Sequence, residues 1–449
     1  MPVLKPGTFN LGEMSLSSEI TGFKIPLDSF SNIVEFNVYE GMFTDSLSCN
    51  ILLTDSNNLI ANFTIVGNEK LNLLFNTAIP DEDDEVEQLS VIFKLYSIDS
   101  YSKENIGTSS YILNFTSEEY IRSCNTNISK SFSNSTITEI VSHIYSLLKT
   151  DKKLEIENTE QIHDLVVPSM TPFYALNWLT KYAISSEFDG ANYLFFETLD
   201  GYKFKSLESY MDVQDDDVYA TYFNIPPRTQ LDFKEDYYLI REFRVKKNFN
   251  IMKNILDGMY SSRTITHDIV KRTKEITDFN YKDSYSDYKH VEYNRRPGGQ
   301  RSTMLLPEKI DSDAVDYSDN PDSSINFNPR HFNLFSNDAQ QHNTQRGRTL
   351  HIRKSQMAQL SNLGVEIVVE GDLLIRCGYI VIINIPSSQS SEGAWTWDPY
   401  LSGRYIVTSI KHSFTAGKHM STLVLNKDSY YTPIDLESDL LENINRGVE

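Results

Sequence analysis

The feature that most constrains this chain is an alternation of apolar and polar residues that recurs through its first quarter. Val34, Phe36 and Val38 are apolar, whereas Glu35 and Asn37 between them are polar. A period of two indicates a strand with one buried face and one solvated face. The same period recurs in four further runs, Leu47 to Leu53, Leu71 to Phe75, Val91 to Leu95 and Tyr111 to Phe115. Five such strands predict an antiparallel barrel or sandwich.

The length and charge of the chain limit the number of domains and the kinds of partner that we expect. Its 449 residues exceed the about 250 to 300 residues at which a single hydrophobic core stops growing, so we expect about two to four domains. The 62 acidic and 41 basic residues give a formal net charge of -21. Such a charge repels a polyphosphate, so tight binding of nucleic acid is not expected.

Neither a membrane anchor nor a disulfide framework is expected. Residues 1–10 lack a basic region followed by an apolar one, and the longest apolar run, Tyr379 to Ile383, is far too short to cross a bilayer. The three cysteines, Cys49, Cys124 and Cys377, are widely spaced and odd in number. They are interpreted as buried thiols of a reducing compartment.

In the second quarter of the chain the period changes to that of a helix. Thr136 and Glu139 match a capping box, and apolar residues then follow at helical spacing, which predicts a helix over about 136–149. Thr171 before Pro172 predicts the start of a second helix. Asp200-Gly201 between two apolar runs predicts a hairpin. This stretch is expected to form a small α+β domain.

A second β region follows and is interrupted. Strand periodicity returns at Leu239 to Val245, whereas Lys282 to Arg346 is almost free of apolar periodicity and is interpreted as a long insertion. It is either an arm that orders on a neighbouring subunit or a simply mobile loop. A helix over 350–363 and four strands are predicted after it. The expected division is an N-terminal tail (1–15), a first barrel (16–117), an α+β domain (118–228), a second barrel (229–281 and 347–432), the arm (282–346) and a C-terminal tail (433–449).

Two runs near the C-terminus carry a resemblance to a known family. They are Leu401 to His412, which includes Arg404 and Tyr405, and Leu425 to Ser429, which includes Lys427 and Asp428. Upstream, Gly371 and Gly378 frame strands in a similar order. Together these residues resemble the baseplate central hub proteins of T-even-like contractile-tailed phages, over about residues 15 to 430 and most strongly at the C-terminal barrel.

The resemblance implies a fold, an assembly and a location. The fold would be α+β and β-rich, with two tail-tube-like antiparallel β-barrels, an inserted α+β domain and an inserted arm. A homotrimer would place six barrels in a pseudo-six-fold ring that joins a hexameric tail tube to a three-fold spike. The implied partners are a tail tube or tube-initiator protein, a central spike protein with or without a lysozyme domain, and the surrounding baseplate wedge proteins. DNA would pass an acidic lumen without specific binding. The chain would assemble in the host cytoplasm and reside in the tail baseplate of the virion.

No catalytic, cofactor-binding or metal site is expected. His163-Asp164 and His267-Asp268 each resemble half of a metal phosphohydrolase site, but no further ligand follows at suitable spacing, so surface pairs are the better interpretation. Pro297 to Gln300, beside three arginines, is better explained as a turn than as a phosphate loop. Trp395 and Trp397 are interpreted as anchors of a loop rather than as a platform for a sugar or base.

The remaining family residues are interpreted as structural. Gly371, Gly378 and Gly403 are predicted at tight turns and barrel corners where a Cβ would clash. His412 is interpreted as a hydrogen-bonded packing residue rather than a base. The alternatives are a hub component with its own cell-wall hydrolase activity and a spike-like protein of a contractile secretion system. The spike predicts a repetitive β-helical segment, and no such period is present in the sequence.

Overall fold

The computed structural model describes most of the chain. The described residues are 7, 9–27, 32–78, 86–105, 107–224, 236–269, 272–292, 303–304, 320–330, 339–387, 397–398, 400–415 and 417–430. None of the helices within them is long and apolar enough to cross a membrane.

The first β module is formed by the alternating strands of the N-terminal quarter. Its elements are β1 (Asn10–Ser18), β2 (Lys24–Pro26), β3 (Asn32–Gly41), β4 (Ser48–Asp55), α1 (Leu59–Asn62), β5 (Glu69–Ala78), β6 (Val86–Asn105) and β7 (Thr108–Ser117). The strands pair antiparallel in the order β3-β4-β7-β6-β5-β1-β2. The apolar phase of each strand faces one core, in which Phe36, Ile51 and Phe115 are almost completely buried. β1 begins at Asn10, within the range that the sequence assigned to a tail.

The next stretch forms a compact α+β segment, as the change of period predicted. Its elements are α2 (Glu118–Cys124), β8 (Ile128–Thr136), α3 (Ile137–Ser146), β9 (Leu154–Ile156), β10 (Ile162–Met170), α4 (Pro172–Thr180), β11 (Tyr193–Thr198), β12 (Gly201–Ser206) and α5 (Leu207–Met211). The next strand, β13 (Ala220–Phe223), belongs to the second β module. The capping box at the start of α3 is present: Thr136 Oγ1 accepts the Glu139 N–H, and Glu139 Oε2 accepts the Thr136 N–H at 2.8 Å. The hairpin β11-β12 is present, with Leu199 and Asp200 as its turn residues and Gly201 as the first residue of β12, opposite Thr198.

The remaining elements form the second β module and a separate sheet. They are β14 (Glu242–Lys247), α6 (Ile251–Asp257), β15 (Ser261–Asp268), β16 (Thr273–Asn280), α7 (Tyr281–Ser284), β17 (Thr303–Met304), β18 (Ile325–Arg330), α8 (Ala339–Leu360), β19 (Leu363–Glu370), β20 (Ile380–Asn384), β21 (Gly403–Thr415), β22 (Lys418–Lys427) and β23 (Ser429–Tyr430). In the second module the order is β14-β19-β22-β21-β20-β13, and only the β13-β20 ladder is parallel.

Backbone hydrogen bonds link β13, at one end of this strand order, to the residues just before β14, at the other end. The Ile240 N–H donates to the Phe223 carbonyl of β13 at 2.9 Å, and the next amide, that of Arg241, donates to the Val368 carbonyl of β19 at 2.8 Å. The chain entering β14 therefore touches both β13 and β19, which closes the second module around its core. The expected β-rich α+β fold is confirmed.

The two β modules share one sheet. β21 is long enough to pair with β20 through its first residues and with β3 through its last ones, from Ser409 opposite Gly41 to Phe414 opposite Phe36. This β3-β21 seam makes one 13-stranded sheet of both modules. Phe414 lies in the core of the first module and Met42 in that of the second, so side chains cross the seam in both directions.

A small sheet, here called the outer sheet, lies apart from the main one. It has the order β16-β15-β18, with β15 parallel to β18. β15 and β16 fall within residues 229–281, which the sequence assigned to the second barrel, and β18 falls within the predicted arm. The residues of β15 pair with residues of β18 that lie 62 positions further along the chain, so local periodicity gave β15 no partner.

Candidate structural site at the module junctions

Arg404 is a buried arginine that ties β21 to two other segments. Its side chain is 1% exposed. Nη2 donates to the carbonyl oxygens of Val213 at 2.7 Å and Gln214 at 3.1 Å, and the backbone N–H donates to Glu292 Oε1 at 2.7 Å. A buried guanidinium is costly without acceptors, so these contacts hold the segment before β13 and residue 292 against the second module.

Asp428 makes the matching connection from the end of β22. Its Oδ1 accepts the Val291 N–H at 3.1 Å and the Ser429 hydroxyl at 2.9 Å, and its Oδ2 lies 2.7 Å from His290 Nδ1. The other nitrogen of that ring lies 2.7 Å from the Tyr285 carbonyl oxygen. All of these groups are in residues 285–292 or beside Asp428, so the carboxylate anchors that segment to the barrel.

The other residues that carry the resemblance lie around the same place. Lys427 Nζ donates to the Ser402 carbonyl at 3.0 Å and lies 4.9 Å from the centroid of the Tyr405 ring. The Tyr405 hydroxyl donates to the Leu401 carbonyl at 2.7 Å. The structure thus brings together Leu401, Arg404, Tyr405, Lys427 and Asp428, whereas His412 lies further along β21.

All three glycines occupy positions that a side chain would not tolerate. Gly403 has a φ of 125°, and a Cβ there would lie 2.2 Å from Glu292 Oε1. Gly378 has a φ of 92°, and its Cβ would lie 2.7 Å from the Tyr210 ring. The third, Gly371, donates its N–H to the His419 carbonyl at 2.9 Å, and a Cβ there would lie 2.1 Å from the His419 ring. Each of these glycines lies in close contact with neighbouring protein groups.

His412 is enclosed by other polar groups of the second module. It is completely buried, and its Nδ1 lies 3.2 Å from Ser421 Oγ and 3.2 Å from His419 Nε2. Burial, with a smaller contribution from the Arg376 charge, lowers the pKa of His412 to about 3. A serine hydroxyl beside a neutral imidazole has the chemistry of a nucleophile and base. However, Ser421 is also fully buried, so a substrate has no access to this pair.

Glu40 is a buried acid at the point where three parts of the chain meet. It lies at the end of β3, and its carboxylate accepts the N–H of Cys377, before β20, and that of Leu199, in the β11-β12 turn, at 3.1 Å. Burial raises the pKa of Glu40 to about 7, although the nearby Arg376 charge and both N–H donors favour the ionised form. Arg376 in turn donates to Asp200 at 2.7 Å.

Glu197 on β11 makes a second buried junction. Its Oε2 accepts the Leu47 N–H at 2.9 Å and the Ser117 hydroxyl at 2.5 Å, both from the first β module. Its Oε1 accepts from Lys152 Nζ at 2.6 Å, and the same ammonium pairs with Glu119 at 2.8 Å. The α+β segment is therefore attached to the first module by charge-assisted hydrogen bonds.

Glu208 makes a third junction, to α8. It accepts the Gly190 N–H at 3.1 Å and the Gln356 amide at 2.8 Å, and burial raises its pKa to about 7. Gln356 also accepts the Asn192 amide at 2.6 Å. The long helix is in this way bonded to the α+β segment.

Sequence reasoning missed these three acids, although two of them left a signal. Glu40 continues the apolar phase of Phe36 and Val38, and Glu197 continues that of Tyr193 and Phe195. A charge on the apolar phase of a strand must find a partner in the interior. Such an acid therefore predicts a buried polar contact, but the sequence does not say with which segment.

The two His-Asp pairs lie apart from these junctions. His163 is 2% exposed, and its neighbour Asp164 accepts the Asn134 N–H at 2.8 Å. The His267 ring lies beside Phe327 on the outer sheet, and Asp268 is 3% exposed. The expectation of surface pairs is thus wrong for His163 and Asp268. Within the described ranges, no group of three or more His, Cys, Asp and Glu residues is placed to hold a metal ion.

Other sequence expectations have mixed outcomes. Cys49 and Cys377 are buried, but Cys124 is exposed at the end of α2, so the expectation of a buried thiol is wrong there. The Trp397 backbone pairs with Pro386, while the residue is 45% exposed. Trp395, the turn over residues 297–300 with Arg295, Arg296 and Arg301, and the tail over 433–449 lie outside the described residues.

Comparison with known proteins gives a relative in a phage. A probable baseplate hub protein of Vibrio phage KVP40, gp334, is 22% identical over 417 residues, which covers 91% of this chain and 93% of the relative. The chain is similar to a phage baseplate hub protein along nearly its whole length. The resemblance stated from the sequence is thereby confirmed. No protein-family model matches the sequence.

Two solved structures are similar over most of the chain. A tail protein of Neisseria meningitidis MC58 is 9% identical, with a TM-score of 0.49 and coverage of 93% of this chain and 97% of the other. The 43 kDa tail protein of prophage MuSo2 from Shewanella oneidensis is 10% identical, with a TM-score of 0.49 and coverage of 93% and 98%.

Proposed function

We propose that this chain is a structural, non-enzymatic subunit of the baseplate hub of a contractile phage tail. The observation that carries the proposal is the near full-length similarity to a baseplate hub protein. The polar junctions are consistent with it, because buried Arg404, Glu40 and Glu197 hold chain segments to one another instead of facing a cleft. A structural subunit that must keep a fixed shape needs buried contacts of this kind between its segments.

The assembly that we propose is a homotrimer. Two β modules joined edge to edge in each chain give six modules from three copies, so a ring with true three-fold symmetry presents a pseudo-six-fold face. One side would then meet a hexameric tail tube or a tube-initiator protein, and the other a three-fold central spike protein. Baseplate wedge proteins would surround the ring.

The outer sheet supports contact between copies. Its face toward α8 is polar, with Ser262, Thr264 and Thr266 buried, whereas Ile265, Ile276 and Phe327 lie opposite one another on the outward face. Ile276 is 52% and Phe327 64% exposed. Apolar side chains on the solvated side of a sheet are typical of an interaction surface. We assign this face to a second copy in the trimer.

The net charge of -21 supports the passage of DNA without specific binding. Cationic side chains in the lumen would hold each phosphate as it passed, whereas an acidic wall would not. We therefore propose that the ring lies in the virion tail baseplate, after assembly in the host cytoplasm.

Quantitative peptide mass spectrometry of purified tails tests this function. We expect this chain in the baseplate fraction at half the copy number of the protein that forms one tube ring. Absence from the particles would contradict the proposal. Turnover of peptidoglycan by the purified chain would contradict its non-enzymatic part and support the hydrolase alternative.

A further inference from the structure

The two β modules repeat one arrangement of five strands. In the first module these strands lie in the order β3-β4-β7-β6-β5, and in the second in the order β14-β19-β22-β21-β20. Their order along the chain also agrees, so that β3 corresponds to β14, β4 to β19, β5 to β20, β6 to β21 and β7 to β22. The main sheet therefore contains a duplicated unit, and each of these strands has a counterpart in the other module.

The correspondence extends to single residues. β7 begins at Thr108 and β22 at Lys418, and the last eight residues of the two strands share the same alternation of buried and half-buried positions. Residues of β22 thus lie 310 positions after their counterparts in β7. The strands beside them carry a β-bulge at the same level, just before Ser97 in β6 and just before Ser409 in β21. Ser97 is therefore the counterpart of Ser409.

The β3-β21 seam uses only the part of β21 that follows the bulge. That part, from Ser409 to Phe414, pairs with β22 along one edge and with β3 along the other. Its counterpart in β6 is residues 97–103. Within the described chain these residues pair with β7, and no strand lies along their other edge. β6 thus presents the same edge that β21 uses in the seam.

β14, the counterpart of β3, has an open edge as well. The second module is closed by backbone hydrogen bonds of Ile240 and Arg241, just before β14. β14 itself pairs with β19 and with no other strand among the described residues. Its residues from Arg244 to Lys247 are exposed. Unpaired strand edges of this kind accept a strand from another chain.

We propose that residues 97–103 of one copy pair with the open edge of β14 in the next copy, as β21 pairs with β3 within a chain. This contact rests on the proposed trimer and names the surfaces that join its copies. Three seams within chains then alternate with three between chains. A head-to-tail contact of this kind closes six modules into one ring when the rotation between copies is 120°.

The seam within the chain also fixes the register expected between chains. In that seam Lys411 lies opposite Tyr39. The pairing of each hairpin makes Asp99 the counterpart of Lys411, and the pairing of β3 and β14 with their neighbours makes Lys247 the counterpart of Tyr39. Asp99 of one copy is therefore expected opposite Lys247 of the next. Opposite charges at facing positions of neighbouring strands stabilise the pair.

Cysteine pairs in the full-length chain test the contact. Facing residues of antiparallel strands have Cα atoms about 4.5–5.5 Å apart, within the distance of about 4.4–6.8 Å that a disulfide spans. Asp99→Cys with Lys247→Cys is made in a Cys124→Ser background, because Cys124 is exposed. Mild oxidation is expected to link chains into dimers and trimers, with peptides that join positions 99 and 247.

The matched control combines Ile92→Cys with Lys247→Cys in the same background. Ile92 is 45% exposed and lies on β6 too, but in the half that already pairs with β5. This variant is expected to give at most a tenth of the linked chains. Equal yields in both variants would overturn the assigned register.

Sedimentation of the unoxidised protein separates this contact from the trimer on which it rests. Trimers that form without yielding the link between positions 99 and 247 would overturn the contact and leave the trimer in place. A chain that forms no trimer at any concentration would contradict the trimer itself. Disulfides found only within single chains, recognised by an unchanged mass on a non-reducing gel, would also overturn the contact.

A charge exchange tests the facing pair directly. Asp99→Lys places two like charges opposite each other and is expected to raise the dissociation constant of the trimer at least tenfold. Asp99 also accepts the Asn114 amide at 2.6 Å within its own chain, so the decisive variant is Asp99→Lys with Lys247→Asp. This exchange is expected to recover part of the loss. No recovery relative to Asp99→Lys would contradict the pairing of these two positions.

Discussion

Glu40 connects three parts of the molecule through a single buried carboxyl group. Removing one partner of a buried charged contact typically costs about 3–5 kcal/mol. A single substitution at such a residue is therefore expected to lower the free energy of unfolding markedly. The effect of Glu40 is measurable, because burial raises its pKa in the folded chain.

Stability is expected to depend on pH through Glu40. Its pKa is raised from 4.5 to about 7 in the folded chain, so between these values the folded state keeps a proton that the unfolded state has lost. The contribution of Glu40 is therefore fully present below pH 4.5 and is lost as pH rises to about 7, an effect on the order of 3 kcal/mol.

The measurement compares urea unfolding of the wild type and Glu40→Gln at pH 5 and pH 7.5. The difference in free energy of unfolding between the two proteins should shift against the wild type at the higher pH. Glu242→Gln, at an exposed position of β14, is the control. Parallel pH curves for wild type and Glu40→Gln would refute the assignment.

Gly403→Ala should destabilise the second module by about 3 kcal/mol, since it combines a positive φ with steric overlap. The Glu292 carboxylate can move away from the new Cβ only by releasing the Arg404 N–H. Gly417→Ala is the matched control, with a φ of 80° and open space around it, and should cost about 1 kcal/mol. Equal losses in chemical denaturation would exclude the overlap as the cause.

At the scale of elements, the features that the sequence predicted are those that neighbouring residues encode. The helix after Thr136 and the hairpin at Asp200-Gly201 are encoded within a few residues, by a capping box and a turn dipeptide, and both were predicted. The β3-β21 seam joins residues more than 360 positions apart. Nothing local to Phe36 or Phe414 names the other as its partner.

For the buried polar contacts, too, the sequence indicates the local feature but not the distant partner. The acid on the apolar phase of β3 is visible in the sequence, but its bonds to Cys377 and Leu199 depend on the tertiary fold. Arg404 and Asp428 were singled out by the resemblance, whereas the segment that both of them contact, residues 291 and 292, was not. The outer sheet was missed because its strands pair across the predicted arm.

Phe414→Ala tests whether the seam couples the two β modules. The Phe414 ring stacks on Phe36 with centroids 4.2 Å apart, and its loss should cost about 3–5 kcal/mol. Because the ring lies in the core of the first module but belongs to the second, scanning calorimetry should resolve two transitions in place of one. Phe173→Ala, in the core of the α+β segment, should lower the stability without separating the β modules. A single, merely shifted transition in Phe414→Ala would show that the Phe414 ring is not what couples them.

At the scale of the whole molecule, the outer sheet presents its apolar face outward, and we attribute that face to the trimer. Phe327→Asp should place a charge in the contact and shift the assembly toward monomers, by at least tenfold in the dissociation constant measured by sedimentation. Ile162→Asp, at a position that is 57% exposed on β10, should leave the assembly unchanged. Equal effects of both substitutions would move the contact elsewhere.

The central claim is that three copies of this chain, each with two joined β modules, form one ring. The most direct measurement is the mass and symmetry of the purified assembly, by native mass spectrometry together with electron microscopy of the same particles. We predict a species of three times the 51.6 kDa chain mass, with three-fold symmetry, a central opening and six similar modules around it. A monomer or dimer that persists at all concentrations, or a particle whose modules do not surround a common axis, would contradict the account.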